Sequence, residues 1–165
     1  MLEPAENLPS ATNPNLNALQ STLDHDIPLC AWMGIRVHRF GPDGLVLRCP
    51  LNQNRNLHQT AFAGSLNALC TATGWGMAYL LLQELERSGS LVIRRSSIRY
   101  QSPVVSNEIL AHCLPITDDA RAFFLEMLDE KGQAKLDLTV EIAGDDRPAV
   151  VFQGSYVVST GSESS

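Results

Sequence analysis

The chain has 165 residues, which is the size of one domain. Hydrophobic residues make up 44% of it and charged residues 18%, so the composition is that of a globular protein and excludes a disordered one. Because 18 acidic side chains outnumber 12 basic ones, the net charge of −6 argues against duplex DNA or an anionic membrane as a partner.

The cysteines and the first residues bear on metal binding and on compartment. No C-x-x-C pair occurs, and each cysteine lies in apolar sequence, so we expect buried free thiols and no metal site at Cys30, Cys49, Cys70 and Cys113. Residues 1–14 have neither a basic n-region nor an apolar h-region, and we expect a cytoplasmic protein. We predict a mobile arm over residues 1–15, one domain over 16–158 and a disordered tail over 159–165.

The first part of the domain predicts a helix and then a hairpin. Residues 15–32 carry leucines at helical spacing, and Pro28 interrupts them. Two strand-like runs follow, 35–40 and 45–51, and the second alternates between apolar and other side chains. The sequence between them, Gly41-Pro42-Asp43-Gly44, suits a tight turn at every position.

A long apolar helix is predicted over residues 64–87. Its apolar positions keep helical spacing, and at about 1.5 Å per residue it extends roughly 35 Å. Gly74 and Gly76 lower the helix propensity in its middle, so we expect another backbone to approach closely there. Ser88-Gly89 predicts its end. The neighbouring stretch lacks charged side chains, but its polar residues favour a buried helix over a membrane span.

The remainder of the chain predicts five strands separated by turn residues, at 91–102, 108–116, 122–129, 134–143 and 149–158. The fourth alternates without error between apolar and polar side chains, which is typical of an antiparallel sheet with one packed face. A helix that is apolar nearly all round must be enclosed, and one curved sheet can enclose it. Strand order and the mid-chain helix therefore predict an α+β hotdog fold, with a long central helix wrapped by a curved antiparallel sheet.

The segment that leads into the long helix, residues 56–65, is polar and contains a glycine. It delivers the chain to a helix N-terminus, where free backbone N–H groups and the positive end of the helix dipole suit a developing oxyanion. The alternative is an ordinary helix start with Thr60 or Ser65 as the capping residue.

This segment resembles the loop of hotdog thioesterases of the phenylacetyl-CoA type, which reads N-x-H-G-T-x-H-G-G before a helix that bears an aspartate. The matching positions are Asn56, His58, Thr60 and Gly64. The departures are Gln59, Phe62 and Ala63. The position of the helix aspartate falls on Thr71.

A closer resemblance is to the thioesterase-like domain at the C-terminus of YiiD-type acetyltransferases, and it extends from about residue 27 to residue 158. That family reads N-x-x-x-T-A-F-G-G-S-L, then G-W-G, then I-R-Y-x-x-P-V. The corresponding blocks here are residues 56–66, 74–76 and 98–104. The resemblance implies hydrolysis of an acyl thioester on coenzyme A or acyl carrier protein, with no cofactor beyond the coenzyme A or phosphopantetheine of the substrate.

The resemblance also implies roles for individual residues. The N–H of Gly64, together with that of Ser65, would face the carbonyl oxygen, while Asn56 would hold the carbonyl or the attacking water and Thr71 would orient that water. His58 is either catalytic or a support for the loop. Phe62, Ala63 and Trp75 would contact the acyl group, with a place in the core as the alternative for Phe62 and Trp75.

The general base is the open question, since relatives use an Asp or Glu near the helix. Between Glu6 and Glu84 the acidic residues are Asp24, Asp26 and Asp43, and Asp43 belongs to the predicted turn. Either Asp24 or Asp26 reaches the site from a partner subunit, or Asn56, Ser65 or Thr71 orients water without a strong base.

Three arginines, Arg94, Arg95 and Arg99, cluster on the strand after the long helix. Strand alternation predicts that Arg94 and Arg95 face opposite sides, while Arg95 and Arg99 share one. The cluster predicts either a clamp for the phosphates of coenzyme A or phosphopantetheine, or a solvated sheet face that pairs with acidic neighbours.

Two other functions stay open at this point. A hydroxyacyl dehydratase or enoyl hydratase shares the fold, but its motifs H-F-P-x-x-P and D-x-x-x-x-H are missing from the sequence. A non-catalytic acyl-binding protein accords with the missing carboxylate. We also expect a homodimer or a dimer of dimers, because the fold leaves an open strand edge at 91–102 that needs a partner.

Overall fold

The computed structural model describes residues 13–161. Within them the elements are α1 (Pro14–His25), α2 (Pro28–Met33), β1 (Arg36–Gly41), β2 (Gly44–Pro50), α3 (Ala63–Glu84), β3 (Ser90–Tyr100), β4 (Glu108–Cys113), α4 (Asp118–Lys131), β5 (Gln133–Ile142) and β6 (Val150–Ser159). Asn15 lies in α1 and Ser159 in β6, so the domain extends slightly into the predicted arm and tail. Residues 1–12 of the predicted arm and 162–165 of the predicted tail lie outside the described residues.

The six strands form one antiparallel sheet in the order β1-β2-β4-β5-β6-β3. Its inner face packs against α3, which contacts β2, β4, β5, β6 and β3. The alternation predicted for β5 is confirmed, since Leu136 and Leu138 are buried while Lys135 and Asp137 are exposed. The predicted α+β architecture, a long helix against a curved antiparallel sheet, is present.

Proline determines where the two N-terminal helices divide. Pro28 is the first residue of α2, where its missing N–H would have no helical acceptor. Gly34, with a φ of +72°, then ends α2 in the left-handed conformation that glycine tolerates. The predicted interruption at Pro28 is therefore a break between two separate helices, and α1 and α2 pack beside α3.

Gly74 and Gly76 in the middle of α3 leave space for side chains that pack against the helix. The prediction that another backbone approaches closely at these glycines is wrong. A Cβ atom on Gly74 would lie 2.7 Å from ring carbons of Tyr156 in β6. A Cβ atom on Gly76 would lie 3.0 Å from a methyl carbon of Leu45 in β2. The sheet therefore approaches the helix through its large inward side chains.

The end of α3 differs from the prediction at Ser88-Gly89. The helix ends at Glu84, and Glu86 adopts a left-handed φ of +53°. The N–H of Arg87 donates to the carbonyl oxygen of Leu82 at 3.0 Å, which closes the last turn. Glu86 in the left-handed conformation therefore closes the end of α3, where the sequence predicts that Gly89 does so.

The strand predicted over residues 122–129 is wrong, because this segment lies in α4. Thr117 caps the helix by accepting a hydrogen bond from the N–H of Ala120, and Gly132 ends it with a φ of +66°. Phe124 and Leu128, one helical turn apart, are the buried residues of α4. The adjacent apolar residues resemble a buried strand, whereas the caps at both ends specify a helix.

Strand β3 lies at one edge of the sheet and pairs only with β6 within residues 13–161. Its register shifts between Ile93 and Arg95, so that Arg94 has no partner on β6. The eleven residues of β3 offer a long open edge, which matches the predicted unpaired strand. No helix in residues 13–161 is long and apolar enough to cross a membrane.

Candidate active site

The loop between β2 and α3 is held by the side chain of Asn56. Its amide nitrogen donates to Thr60 Oγ1 at 2.8 Å, and its Oδ1 accepts from the N–H groups of His58 and Thr60. The backbone N–H of Asn56 also donates to the carbonyl of Thr60 at 2.7 Å. All of these bonds stay inside the loop, so the structure gives Asn56 a part in shaping the approach to α3.

A second asparagine fixes the same loop to the rest of the domain. Asn54 is 2% exposed, and its amide nitrogen donates to the carbonyl oxygens of Met33 and Pro50. The backbone carbonyl oxygen of Asn54 accepts a hydrogen bond from the N–H of Phe62, the residue that precedes α3. Asn54 therefore sets where α3 begins, a role that the sequence did not predict.

The first turn of α3 carries three N–H groups without acceptors among the described residues. They belong to Ala63, Gly64 and Ser65, and the helix has no side-chain cap because its N-cap residue is Phe62. The first intrahelical bond runs from the N–H of Leu66 to the carbonyl of Phe62. Free N–H groups at the positive end of a 22-residue helix favour a negatively charged or polarised oxygen.

A groove of about 370 Å³ runs from this turn along one side of α3. Its α3 residues recur at helical spacing: Gly64, Asn67, Ala68, Thr71, Ala72 and Trp75. Its other walls come from Leu29 and Cys30 in α2 with its N-cap residue Ile27, from Ile93 in β3 and from Tyr156 in β6. The groove lining is thus mostly apolar, and its polar α3 side chains are Asn67 and Thr71.

Asn67 and Thr71 provide polar side chains on the α3 wall. They lie one helical turn apart, both are half-buried, and the Thr71 hydroxyl donates to Asn67 Oδ1 at 3.4 Å. That bond leaves the amide N–H groups of Asn67 without an acceptor among the described residues. Asn67 was not predicted, although it lies three residues after Gly64 and four before Thr71, on the face that both share.

Tyr156 fixes the helix turn that carries Thr71. Its hydroxyl donates to the carbonyl oxygen of Thr71 at 2.8 Å, and Gly74 leaves the space that its ring occupies. Burial raises the pKa of Tyr156 well above its ordinary value, so the hydroxyl stays protonated. Burial also raises the pKa of the Cys30 thiol in the groove wall. No Asp, Glu or His is among the residues that line the groove, all of which lie in the described range.

The other predicted loop residues lie around the helix start. Phe62 is 55% exposed, and its ring covers Gly64 so closely that a Cβ atom there would lie 2.5 Å from it. Ala63 and His58 are exposed, and Ser65 is half-buried in the first turn of α3. The structure therefore brings Gly64, Thr71 and Trp75 together in the groove. The other predicted residues of this region do not line it: Asn56, His58, Phe62, Ala63 and Ser65.

The N-terminal carboxylates have positions of their own. Asp24 pairs with Arg36 at 3.3 Å and accepts a hydrogen bond from the side chain of Gln20. Asp26 is the exposed residue that ends α1. Neither lines the groove within this protomer.

Comparison with known proteins places this geometry in a family. Residues 16–160 match the family described as "Putative thioesterase (yiiD_Cterm)". The chain belongs to the YiiD_C family. Its predicted family membership is therefore confirmed.

Solved structures of similar proteins show the fold of this YiiD_C chain. The putative thioesterase from Shewanella oneidensis is 34% identical, with 88% of this chain and 97% of that chain covered and a TM-score of 0.78. A protein of unknown function from Chlorobaculum tepidum is 29% identical over 90% and 100% of the two chains, with a TM-score of 0.85. A thioesterase from Haemophilus influenzae, 16% identical over 91% and 94% with a TM-score of 0.68, shares the fold. The hotdog fold is confirmed.

Two of the three YiiD_C sequence blocks line the groove, the first through Gly64 and the second through Trp75, and the third is bonded to the first. The N–H of Ala61 donates to the carbonyl of Val104 at 2.9 Å, and the Tyr100 hydroxyl donates to the carbonyl of Ala63 at 3.1 Å, so the first and third blocks are joined. In the second block, Trp75 reaches β3, where its Nε1 donates to the carbonyl of Leu91 at 3.3 Å. Tyr100 is a further residue that positions the start of α3 and that the sequence did not single out.

The arginine cluster of this YiiD_C chain lies on the outer face of the sheet. Arg94 and Arg95 line one cavity of about 390 Å³ together with Lys135 and Phe123, so the prediction that they face opposite sides is wrong. The shift in register at Arg94 breaks the alternation on which it rests. Arg95 also contributes to the lowered pKa of Asp137, after the larger effects of Ser155 and Lys135. Arg99 lies on the outer side of β3 and does not line that cavity.

Proposed function

We propose that this protein hydrolyses acyl thioesters at the point where the groove meets the first turn of α3. The observation that carries the proposal is the set of three N–H groups without acceptors, at Ala63, Gly64 and Ser65, beside an apolar groove that begins at Gly64. A thioester needs both features, since its carbonyl oxygen becomes negative in the transition state while its acyl chain is apolar. Membership of a thioesterase family supports the same reaction.

The carbonyl oxygen of the thioester lies against the N–H of Gly64, with the N–H of Ser65 as a second donor. The helix dipole stabilises the charge that forms there, and loss of one donor of this kind typically costs about 2.7–4 kcal/mol. Water adds to the carbonyl carbon, the C–S bond then breaks, and the sulfur leaves as a thiol after it takes up a proton. The lack of a side chain at Gly64 leaves the space that the ring of Phe62 occupies beside the first turn of α3.

Asn67 and Thr71 hold the attacking water. They are the polar side chains of the α3 wall, and the free amide of Asn67 lies between the helix start and Thr71 along that wall. Asn56, given a direct role by the family resemblance, contributes through the loop that its hydrogen bonds maintain. Because the groove lining contains no carboxylate, we expect modest turnover and a pH profile without a steep acid limb.

The thioester is carried on coenzyme A or on the phosphopantetheine of an acyl carrier protein. Arg94 and Arg95, with Lys135 beside them, offer three cations in one cavity of a protein with a net charge of −6. Arg94 and Arg95 have no ion-pair partner among the described residues, so their charges are available for phosphates. Buried free thiols accord with action in a reducing compartment such as the cytoplasm.

A second copy of the chain completes the site. The edge of β3 is open within residues 13–161, and two large apolar side chains of α2 are exposed, Leu29 in the groove wall at 59% and Trp32 at 81%. Pairing of two β3 edges would extend the sheet across a homodimer and cover these residues. Analytical ultracentrifugation at micromolar concentration should show a dimer or a dimer of dimers, and a monomer would contradict this part of the proposal.

A panel of acyl-CoA thioesters with a free-thiol assay tests the activity itself. We expect release of coenzyme A that is proportional to enzyme concentration and that falls in Asn67→Ala and Thr71→Ala proteins of normal fold. Binding of acyl-CoA without release of thiol would favour the second candidate, a non-catalytic acyl-binding protein. The groove lined without any carboxylate or imidazole is the observation that keeps this candidate in view.

A further inference from the structure

The hydroxyl of Tyr100 is bonded to the peptide group that carries the free N–H of Gly64. It donates to the carbonyl oxygen of Ala63 at 3.1 Å, and this carbonyl and the N–H of Gly64 belong to one planar peptide unit. A helical carbonyl ordinarily accepts one N–H, from the residue four positions later, whereas the carbonyl of Ala63 also accepts this hydroxyl. The contact therefore acts on the oxyanion donor of the proposed site from the opposite end of the same group.

Strand β3 brings Tyr100 to the helix start from a position 37 residues later in the chain than Ala63. Tyr100 pairs with Val150 of β6, which is buried, so this position of β3 faces α3. Partial burial raises the pKa of the Tyr100 hydroxyl above its ordinary value, which keeps it protonated and able to donate. Tyr100 does not line the groove, so its hydroxyl acts on a bound thioester through the peptide group and not by contact.

Backbone hydrogen bonds hold this region together without the Tyr100 hydroxyl. The N–H of Ala61, just before α3, donates to the carbonyl of Val104 at 2.9 Å. The end of β3 is fixed as well, because the N–H of Gln101 donates to the carbonyl of Ala149 at 2.7 Å. Loss of the hydroxyl alone should therefore leave both the strand and the helix start in place.

A hydrogen bond to a carbonyl oxygen draws electron density from the nitrogen of the same peptide unit. Bonded groups polarise one another in this way by about 10–30% per bond, so the N–H of Gly64 becomes a stronger donor. The thioester oxygen gains its negative charge in the transition state, and the gain should therefore appear in kcat and not in KM. Since loss of one oxyanion donor costs about a hundredfold to a thousandfold in kcat, a change of this size corresponds to roughly twofold to eightfold.

We propose that Tyr100 is a positioning residue of this site, whose hydroxyl strengthens the N–H of Gly64 as the donor to the thioester oxyanion. The inference rests on the proposed function, because it takes the oxyanion to form at Gly64. It adds to the site a residue that lies outside the groove. It also gives a part in the reaction to the third sequence block, which is bonded to the first but does not line the groove.

The test changes the acidity of the hydroxyl without changing its place. Tyr100 alone is replaced by 3-fluorotyrosine and 3,5-difluorotyrosine, whose hydroxyls are progressively more acidic, and by phenylalanine, which has none. At pH 6, where each hydroxyl keeps its proton, kcat for acyl-CoA should rise with the acidity of the hydroxyl. In Tyr100→Phe it should be roughly twofold to eightfold lower than in the wild type, with KM changed by less than about twofold. A purely structural tyrosine would give equal kcat in the three proteins that keep the hydroxyl.

The amide proton of Gly64 reports the polarisation itself, independently of activity. In nuclear magnetic resonance spectra of the isotope-labelled protein, its signal should move to lower frequency in Tyr100→Phe. It should move to higher frequency as fluorine is added, because a stronger bond to the Ala63 carbonyl leaves the N–H more positive. Amide signals in the second half of α3 should stay in place and serve as the internal reference.

Two controls separate the hydroxyl from other changes. Phenylalanines that carry the same fluorines at position 100 lack the hydroxyl and should be as slow as Tyr100→Phe. Tyr79→Phe removes the hydroxyl of a tyrosine whose ring stacks on Trp75 in α3, and it should leave both kcat and the Gly64 signal unchanged. Thermal denaturation checks the fold. If Tyr100→Phe fails to fold, the two fluorotyrosine proteins, which keep the ring and the hydroxyl, decide the test.

The outcomes separate this inference from the proposed function. If the wild-type protein hydrolyses thioesters but kcat does not follow the acidity of the hydroxyl, the inference about Tyr100 is overturned and the hydrolase proposal stands. A Gly64 signal that stays in place throughout the Tyr100 series overturns the inference as well. If no thioester is hydrolysed, the proposed function fails, and the Gly64 signal alone then decides whether Tyr100 strengthens that N–H.

Discussion

The two sides of α3 are made of different residues. The side that faces the sheet is buried and apolar, and its one buried polar side chain, Thr73, donates its hydroxyl to the helix carbonyl of Leu69 at 2.7 Å. The groove side is half-buried and carries Asn67, Thr71 and small residues. Packing accounts for every residue on the first side. Packing does not account for the polar residues on the groove side of α3. Because these residues lie beside free N–H groups, we infer that the groove side carries the catalytic site.

The largest effect that distinguishes the two sides should come from filling the space at Gly74. In Gly74→Val the new side chain must displace the ring of Tyr156, because even a Cβ atom would lie 2.7 Å from it. We expect a loss of about 3 kcal/mol in the free energy of unfolding, measured in urea. On the groove side, Ala68→Ser serves as the control and should change stability by less than about 0.5 kcal/mol. Equal losses of unfolding free energy in Gly74→Val and Ala68→Ser would show that the two sides of α3 do not differ in how tightly they are packed.

The groove side should respond in activity instead. In Asn67→Ala and Thr71→Ala we expect kcat/KM to fall by about tenfold to a hundredfold, because the attacking water loses a fixed position. The free energy of unfolding should change little, since both side chains are half-buried and their one side-chain hydrogen bond among the described residues is to each other. Thioester hydrolysis and urea denaturation of the same preparations make the comparison. Full activity in both variants would show that this side of the helix does not hold the water.

The side chain of Tyr156 packs against Gly74 and also lines the groove. Loss of its hydroxyl should have a smaller effect than the changes above. Tyr156→Phe deletes the hydrogen bond to Thr71 and should cost about 1 kcal/mol of stability, with some loss of kcat. Burial raises the pKa of the folded-state hydroxyl above its ordinary value of 10.0, so its contribution is complete below pH 10 and declines as the pH rises beyond it. Alkaline denaturation should therefore affect the wild-type protein more steeply than Tyr156→Phe. Identical alkaline curves would indicate that the hydroxyl is not buried.

The smallest effects are expected on the outer face, far from the helix. Arg94→Ala and Arg95→Ala should raise KM severalfold for acyl-CoA with little change in kcat, and added salt should imitate them. Arg99→Ala is the matched control, since Arg99 lies outside the cavity that the other two line. An unchanged KM in both variants would assign the cluster to a solvated sheet face.

The fold could be predicted from the sequence where one local signal decided the structure. The β1–β2 hairpin and the alternating strand β5 depend on turn chemistry and on a period of two, and both are correct. Helix α4 was missed because adjacent apolar residues at Phe123-Phe124-Leu125 were given more weight than Thr117 and Gly132, the caps that enclose it. The lesson is that capping residues outweigh a short apolar run.

The site was predictable only in part, for a physical reason. Gly64, Thr71 and Trp75 share one helix, so spacing along the chain places them on one side, and the groove contains all three. Tyr100 and Tyr156 come from strands whose register against α3 no local pattern specifies. The bonds of Asn56 likewise depend on the folded loop. Contacts between distant segments are set by the whole fold.

The free N–H of Gly64 is the centre of the account, and one pair of variants tests it directly. Gly64→Ala and Gly64→Pro place the same new carbon against the ring of Phe62, but only proline removes the N–H, and the first helical turn tolerates proline. With both proteins folded by circular dichroism, we expect kcat/KM for the acyl-CoA that the wild-type protein hydrolyses fastest to be a hundredfold to a thousandfold lower, on the order of 3–4 kcal/mol, in Gly64→Pro than in Gly64→Ala. Equal activity in the two variants would contradict the assignment of the oxyanion to the start of α3.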